Sequence, residues 1–201
     1  MTLALLLPSL ALAAPLGAFE TKLTAAGSAD NMAFGASVST GGDVDGDGFD
    51  EVVVGASRAD SVHLFRGGVD GVLLSTEQVV EPSDGGDIGF GQAAGGGADL
   101  DGDGFDDLVV GAAGDDDNGD GAGAAYVYYG AASGFDLTRE EKLTPTSIEA
   151  GGSFGRAVAM LGDVNDDGFD DAAFSAPYDG DGSVFVYLGS AGGLDQASEV
   201  W

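Results

Sequence analysis

Residues 42–55 read GDVDGDGFDEVVVG: acidic side chains at alternate positions, glycines among them, then a run of valines. The order recurs twice. Residues 98–111 read ADLDGDGFDDLVVG and residues 162–175 read GDVNDDGFDDAAFS. Self-similarity at intervals of tens of residues marks a repeat architecture, so this pattern decides the fold.

Working outward, each copy follows a Phe-Gly pair at a fixed distance: Phe34-Gly35, Phe90-Gly91 and Phe154-Gly155. Behind the acidic loops come VVVGAS (52–57), LVVGAA (108–113) and AAFSAP (172–177). Then come VHLFRG (62–67), YVYYG (126–130) and VFVYLG (184–189). These short β-branched and aromatic runs, bounded by Gly and Asp, predict strands. Each unit holds about four of them, the size of one propeller blade. Lys22-Leu23-Thr24 precedes Phe34 just as Lys142-Leu143-Thr144 precedes Phe154, and Glu199 aligns with Glu77 and Glu140, which places the last residues inside a fourth unit. A closed ring takes about four to eight blades. The expectation is an all-β chain of about three blades plus a partial fourth, a fragment whose open blade faces and unpaired edge favour self-association.

Composition limits what such a chain binds. The 201 residues are 44% hydrophobic, ample for a core. With 35 Asp and Glu against six Lys and Arg, a formal charge of −29 argues against nucleic acid or anionic lipid and for cations. The absence of cysteine excludes disulfides and thiolate chemistry. At the N-terminus an apolar run from Leu3 to Leu12 ends in Ala11-Leu12-Ala13, a small-x-small site. Residues 1–13 are thus expected to be a secretory signal peptide, leaving 14–201 as the propeller portion. That run is too short to span a bilayer, and no other is long or apolar enough.

In the first acidic loop Asp43, Asp45 and Asp47 hold positions 1, 3 and 5, Gly48 the turn at 6, Phe49 position 7 and Glu51 position 9. Alternate carboxylates on a tightly turned backbone converge on one centre, and the position-7 carbonyl joins them. Such a set suits Ca²⁺, which takes about six to eight oxygens in flexible geometry. The second loop offers Asp99, Asp101, Asp103, Phe105 and Asp107; the third offers Asp163, Asn165, Asp167, Phe169 and Asp171. About three calcium ions are expected, with the third site weakest because Asn165 supplies an oxygen without a charge. Asp50, Asp106 and Asp170, at position 8, are expected to face solvent. An EF-hand is excluded, since position 12 is Val54, Val110 or Phe174 in strand-like runs rather than a bidentate Glu.

Other residues point away from catalysis. His63, the single histidine, reads as a partly exposed strand residue with no nucleophile evident nearby. Tyr126, Tyr128, Phe185 and Tyr187 alternate as blade-packing aromatics, and the Gly-rich runs lack the Lys-Ser/Thr ending of a phosphate loop.

Together the Phe-Gly openings, the DxDxDG loops and the segments Gly55-Ala56-Ser57, Gly111-Ala112-Ala113 and Ser175-Ala176-Pro177 resemble FG-GAP repeats, the units of the integrin alpha-chain N-terminal β-propeller. The resemblance covers residues 20–201. It implies a seven-bladed propeller with calcium in the hairpin joining the first two strands of a blade, and ligand-binding loops on the opposite face at 57–61, 114–123 and 177–183. It also implies a secreted or cell-surface module for recognition or adhesion, with an extracellular protein or glycan as partner and no enzymatic activity. The alternative is an accessory propeller of a larger secreted hydrolase.

Overall fold

The computed structural model describes residues 21–25, 32–85 and 88–200; the expected signal peptide lies outside them. Among the described residues, twelve strands form three four-stranded antiparallel sheets, each made of four strands consecutive in the chain. The first contains β1 (Phe34–Gly42), β2 (Glu51–Ala56), β3 (Ser61–Phe65) and β4 (Gln78–Val80). The second contains β5 (Ala93–Gly96), β6 (Leu108–Ala112), β7 (Ala124–Tyr128) and β8 (Glu140–Leu143). The third contains β9 (Val158–Gly162), β10 (Asp171–Ala176), β11 (Ser183–Leu188) and β12 (Asp195–Val200). The chain is therefore all-β, built as three propeller blades. Among the described residues, no helix is long and apolar enough to cross a membrane.

Strand alternation determines which side chains meet at each seam, because successive residues face opposite sides of a sheet. Val53, Val62, Leu64 and Val80 of the first sheet share a buried core with Leu108, Val110, Ala112, Tyr126 and Tyr128 of the second. The intervening Val109, Ala125, Val127 and Tyr129 share another with Ala172, Phe174, Phe185 and Tyr187 of the third. The central strands β6 and β7, covered on both faces, are buried throughout.

The Phe-Gly pairs fasten these seams. Phe90 sets its ring edge-on against Tyr126 and Tyr128, and Phe154 does the same against Phe185 and Tyr187. The following glycine, at positive φ, brings its carbonyl against the preceding blade. A Cβ on Gly55 would lie 1.9 Å from the Gly91 oxygen, and one on Gly111 would lie 1.8 Å from that of Gly155. Only glycine fits at either place.

One sequence expectation changes here. Glu199 lies in β12, the outer strand of the third sheet, rather than in a further unit. Residues 21–25 form no strand. The alignment of Glu199 with Glu77 and Glu140 is sound, but those residues mark the fourth strand that completes a sheet.

Candidate metal centres

The three acidic loops are the hairpins between the first and second strands of each sheet, and one hydrogen-bond plan builds them all. The position-1 carboxylate accepts from the position-6 glycine: Gly48 N–H to Asp43 (3.0 Å), Gly104 N–H to Asp99 (2.9 Å) and Gly168 N–H to Asp163 (2.8 Å). The position-5 carboxylate accepts from the position-7 amide, as Phe49 N–H donates to Asp47 and its counterparts to Asp103 and Asp167. These short-range bonds curl the backbone of each loop into a tight turn.

Position 9 anchors the loop to the blade. Glu51, Asp107 and Asp171 are buried. Each accepts the position-2 amide, from Val44 (2.8 Å), Leu100 (2.7 Å) and Val164 (2.8 Å). Their other oxygens accept from Gly67, Gly130 and Gly189, just beyond the third strand. Burial raises the pKa of Glu51, and pushes that of Asp107 up to about 7, against the lowering effect of these bonds.

Carboxylate oxygens of Asp43, Asp45 and Glu51 come within 4.8 Å of one another, as do those of Asp99, Asp101 and Asp107. Asp47 and Asp103 stand outside these clusters, and Asp163, Asp167 and Asp171 form none of this kind among the described residues. Asn165 Nδ2 instead donates to Asp167 (2.7 Å). In the first loop Asp43 Oδ1 is buried without a hydrogen-bond partner. A carboxylate oxygen removed from water and given no donor has an unmet need that a cation supplies. The oxygen-only donor set fits a hard ion such as Ca²⁺.

Three features escape the sequence reading. Arg66 pairs with Asp45, and Arg139 with Asp101 at 2.7 Å, so each position-3 aspartate carries an arginine. Of the position-8 aspartates, Asp50 is exposed as expected, but Asp106 and Asp170 are half-buried. Asp106 accepts the Asp43 amide (2.7 Å) and Asp170 the Asp99 amide (3.0 Å), each across a seam. Finally, His63 is buried rather than partly exposed. Its Nδ1–H donates to Glu77 (2.6 Å), and Nε2 lies 3.2 Å from Ser61 Oγ. That row has the order of a hydrolase triad, yet Ser61 is itself buried, so no substrate reaches its hydroxyl. It serves as hydrogen bonding within the blade.

At the opposite end of the sheets, Lys142 Nζ bonds to Asp84 (2.5 Å), Asp115 (2.7 Å) and Asp117 (2.7 Å). A cleft of ≈ 350 Å³ opens between Ser147, Glu149 and the loop 179–183. Both belong to the rim formed by the second-to-third-strand loops and the connections between blades.

Residues 43–110 match the FG-GAP-like repeat family. The chain is 34% identical over 185 residues to integrin alpha-5 of Xenopus laevis, covering 85% of this chain and 16% of that protein. It is 34% identical over 188 residues to integrin alpha-PS2 of Drosophila melanogaster, covering 85% and 13%. With integrin alpha-6 of Gallus gallus it shares 42% identity over 98 residues, 48% of this chain and 9% of that protein. The chain thus spans a small part of the length of these relatives. Residues 43–110 carry an FG-GAP-like repeat, and the sequence that forms the three blades is similar to part of the integrin alpha chains.

Proposed function

We propose that this chain is a calcium-stabilised propeller module for extracellular recognition or adhesion, delivered to the cell surface or secreted through its N-terminal apolar segment. The observation that carries the calcium reading is the buried, partnerless Asp43 oxygen inside a carboxylate cluster, in a loop whose plan occurs three times. Asp43, Asp45, Asp47, Glu51 and the Phe49 carbonyl would hold the first ion. Asp99, Asp101, Asp103, Asp107 and the Phe105 carbonyl would hold the second, and Asp163, Asn165, Asp167, Asp171 and the Phe169 carbonyl the third. Bound calcium supplies positive charge that cancels the mutual repulsion of each acidic set and ties the hairpin to its blade.

The rim opposite these loops is the face offered to a protein or glycan, supported by its open cleft beside Glu149 and Asp179 and by the similarity to integrin alpha chains. The metal loops have a structural part in this reading and the chain no catalytic one. Calorimetric titration of the full chain with Ca²⁺, with native mass spectrometry, should count three ions, and EDTA should lower the melting temperature. An unchanged melting temperature, or no bound ion, overturns the proposal.

A further inference from the structure

Each seam between blades joins two acidic loops by a pair of hydrogen bonds, one to a carboxylate and one to a backbone carbonyl. At the first seam, the Asp43 amide donates to the Asp106 carboxylate (2.7 Å), and the Asp106 amide donates back to the Asp43 carbonyl (3.2 Å). At the second seam, Asp99 and Asp170 repeat this exchange at 3.0 and 3.1 Å. A second bridge runs beside it. Glu51 accepts from Val44 N–H, the Val44 carbonyl accepts from Ala131 N–H (3.1 Å), and the neighbouring Gly130 N–H donates to Asp107. Asp107, Leu100, Ser190, Gly189 and Asp171 form the same chain at the second seam. The ring of Phe105 lies over Gly46, and that of Phe169 over Gly102, which leaves no room there for a Cβ.

These bridges run between residues assigned to separate ions. Asp43 and Glu51 belong to the first set; Asp106 is the chain neighbour of Asp107 in the second. We propose that Asp106 and Asp170 are positioning residues that couple adjacent metal loops, so that filling one loop raises the affinity of the next. The proposal rests on the calcium reading above. An unfilled loop of like charges holds its backbone loosely. An ion at Asp43 and Glu51 fixes the Asp43 amide, which fixes the Asp106 carboxylate and with it the backbone that presents Asp107. The second ion then binds a loop already ordered and meets a smaller entropic cost. Coupling of this kind is reciprocal: each loop must assist the other by the same factor.

The test is a mutant cycle on the full chain, titrated with Ca²⁺ alone. The first loop is followed through the Gly48 amide signal in NMR spectra and the second through Gly104. Asp101→Ala disables the second loop without touching the seam, and first-loop affinity should then fall by about fivefold or more. In an Asp106→Ala background first-loop affinity should already be reduced, and adding Asp101→Ala should change it no further. Asp106→Asn keeps an acceptor for the Asp43 amide while removing the charge, and should bind as the parent does. Asp50→Ala, at the exposed counterpart, should also have no effect. Asp170→Ala repeats the test at the second seam should Asp106→Ala fail to fold. If calcium binds every loop but first-loop affinity ignores Asp101→Ala and Asp106→Ala, the coupling is wrong and the calcium reading stands. If no loop binds calcium, both fall.

Discussion

At the level of single residues, Arg66 and Arg139 alter the charge balance that the loop spacing suggests. The first two loops each offer four carboxylates, but one is paired with an arginine; the third offers three and an uncharged Asn165. Counted over these ligand sets alone, the two arginines offset the extra carboxylates, so Asn165 by itself does not set the third site apart. Arg66 competes with the ion for Asp45, so Arg66→Ala should tighten calcium binding at the first loop by roughly fivefold, or about 1 kcal/mol for a partly exposed pair. Calcium titration of the variant checks this, and weaker binding would show that Arg66 instead orients Asp45. The alternating carboxylates were legible from spacing because they act within one short loop. The arginines were not, since Arg66 follows the third strand of its sheet and Arg139 precedes the fourth, far from the loops in sequence, and no local period announces them. The same holds for Ser61, His63 and Glu77, two of which lie two residues apart while the third arrives from the edge of the next strand.

At the level of the strand, the Gly-Ala segments were visible as a motif, but their reason lies between blades. Gly55 and Gly111 sit in the middle of well-formed strands, where glycine is ordinarily a cost. They persist because the following Phe-Gly carbonyl occupies the space of a side chain. Gly111→Ala should destabilise the chain by about 1–3 kcal/mol, the range for overpacking a filled core, read from chemical denaturation. In β10 the equivalent residue is Ser175, with no further blade packed against it among the described residues. Ser175→Gly should therefore bring no packing gain and a small loss, from strand flexibility and from removal of the bond that the Ser175 hydroxyl accepts from the Ala157 amide (2.9 Å). Equal effects of the two substitutions would place the constraint in the strand instead of the seam. The division explains which expectations held. Strand identity follows from alternation within a run of residues, whereas the seam duties of Asp106 and Asp170 follow from how one repeat stacks on the next.

At the level of the whole molecule, repeats stacked in a row are held by what each seam supplies, because each blade meets only its neighbours. The first seam has a clamp at the rim opposite the metal loops. The connection from β4 to β5 is pinned to the second sheet by Ser83 on Glu140 (2.6 Å), and by Asp84 on both Tyr126 (2.8 Å) and Lys142. In a chain of charge −29, Lys142 is one of only six basic residues, and it serves three carboxylates at once. Burial alone would lower the Lys142 pKa, but its bonds to Asp115, Asp117 and Asp84 outweigh that and raise it. Burial alone would raise the pKa of Asp84, yet its bonds to Lys142 and Tyr126 hold it below the ordinary aspartate value. A carboxylate whose folded pKa is depressed adds stability that is present above the unfolded value, about 3.9 for aspartate, and is lost as pH falls through the folded one. Lys142→Met should thus melt at a lower temperature than the parent at pH 7, where three carboxylates are left facing one another. The gap should close as pH drops below about 4 and through the depressed pKa of Asp84. Thermal unfolding of both proteins from pH 7 to pH 3 measures it, and a gap independent of pH would assign Lys142 to packing through its alkyl chain over Tyr126 rather than to charge.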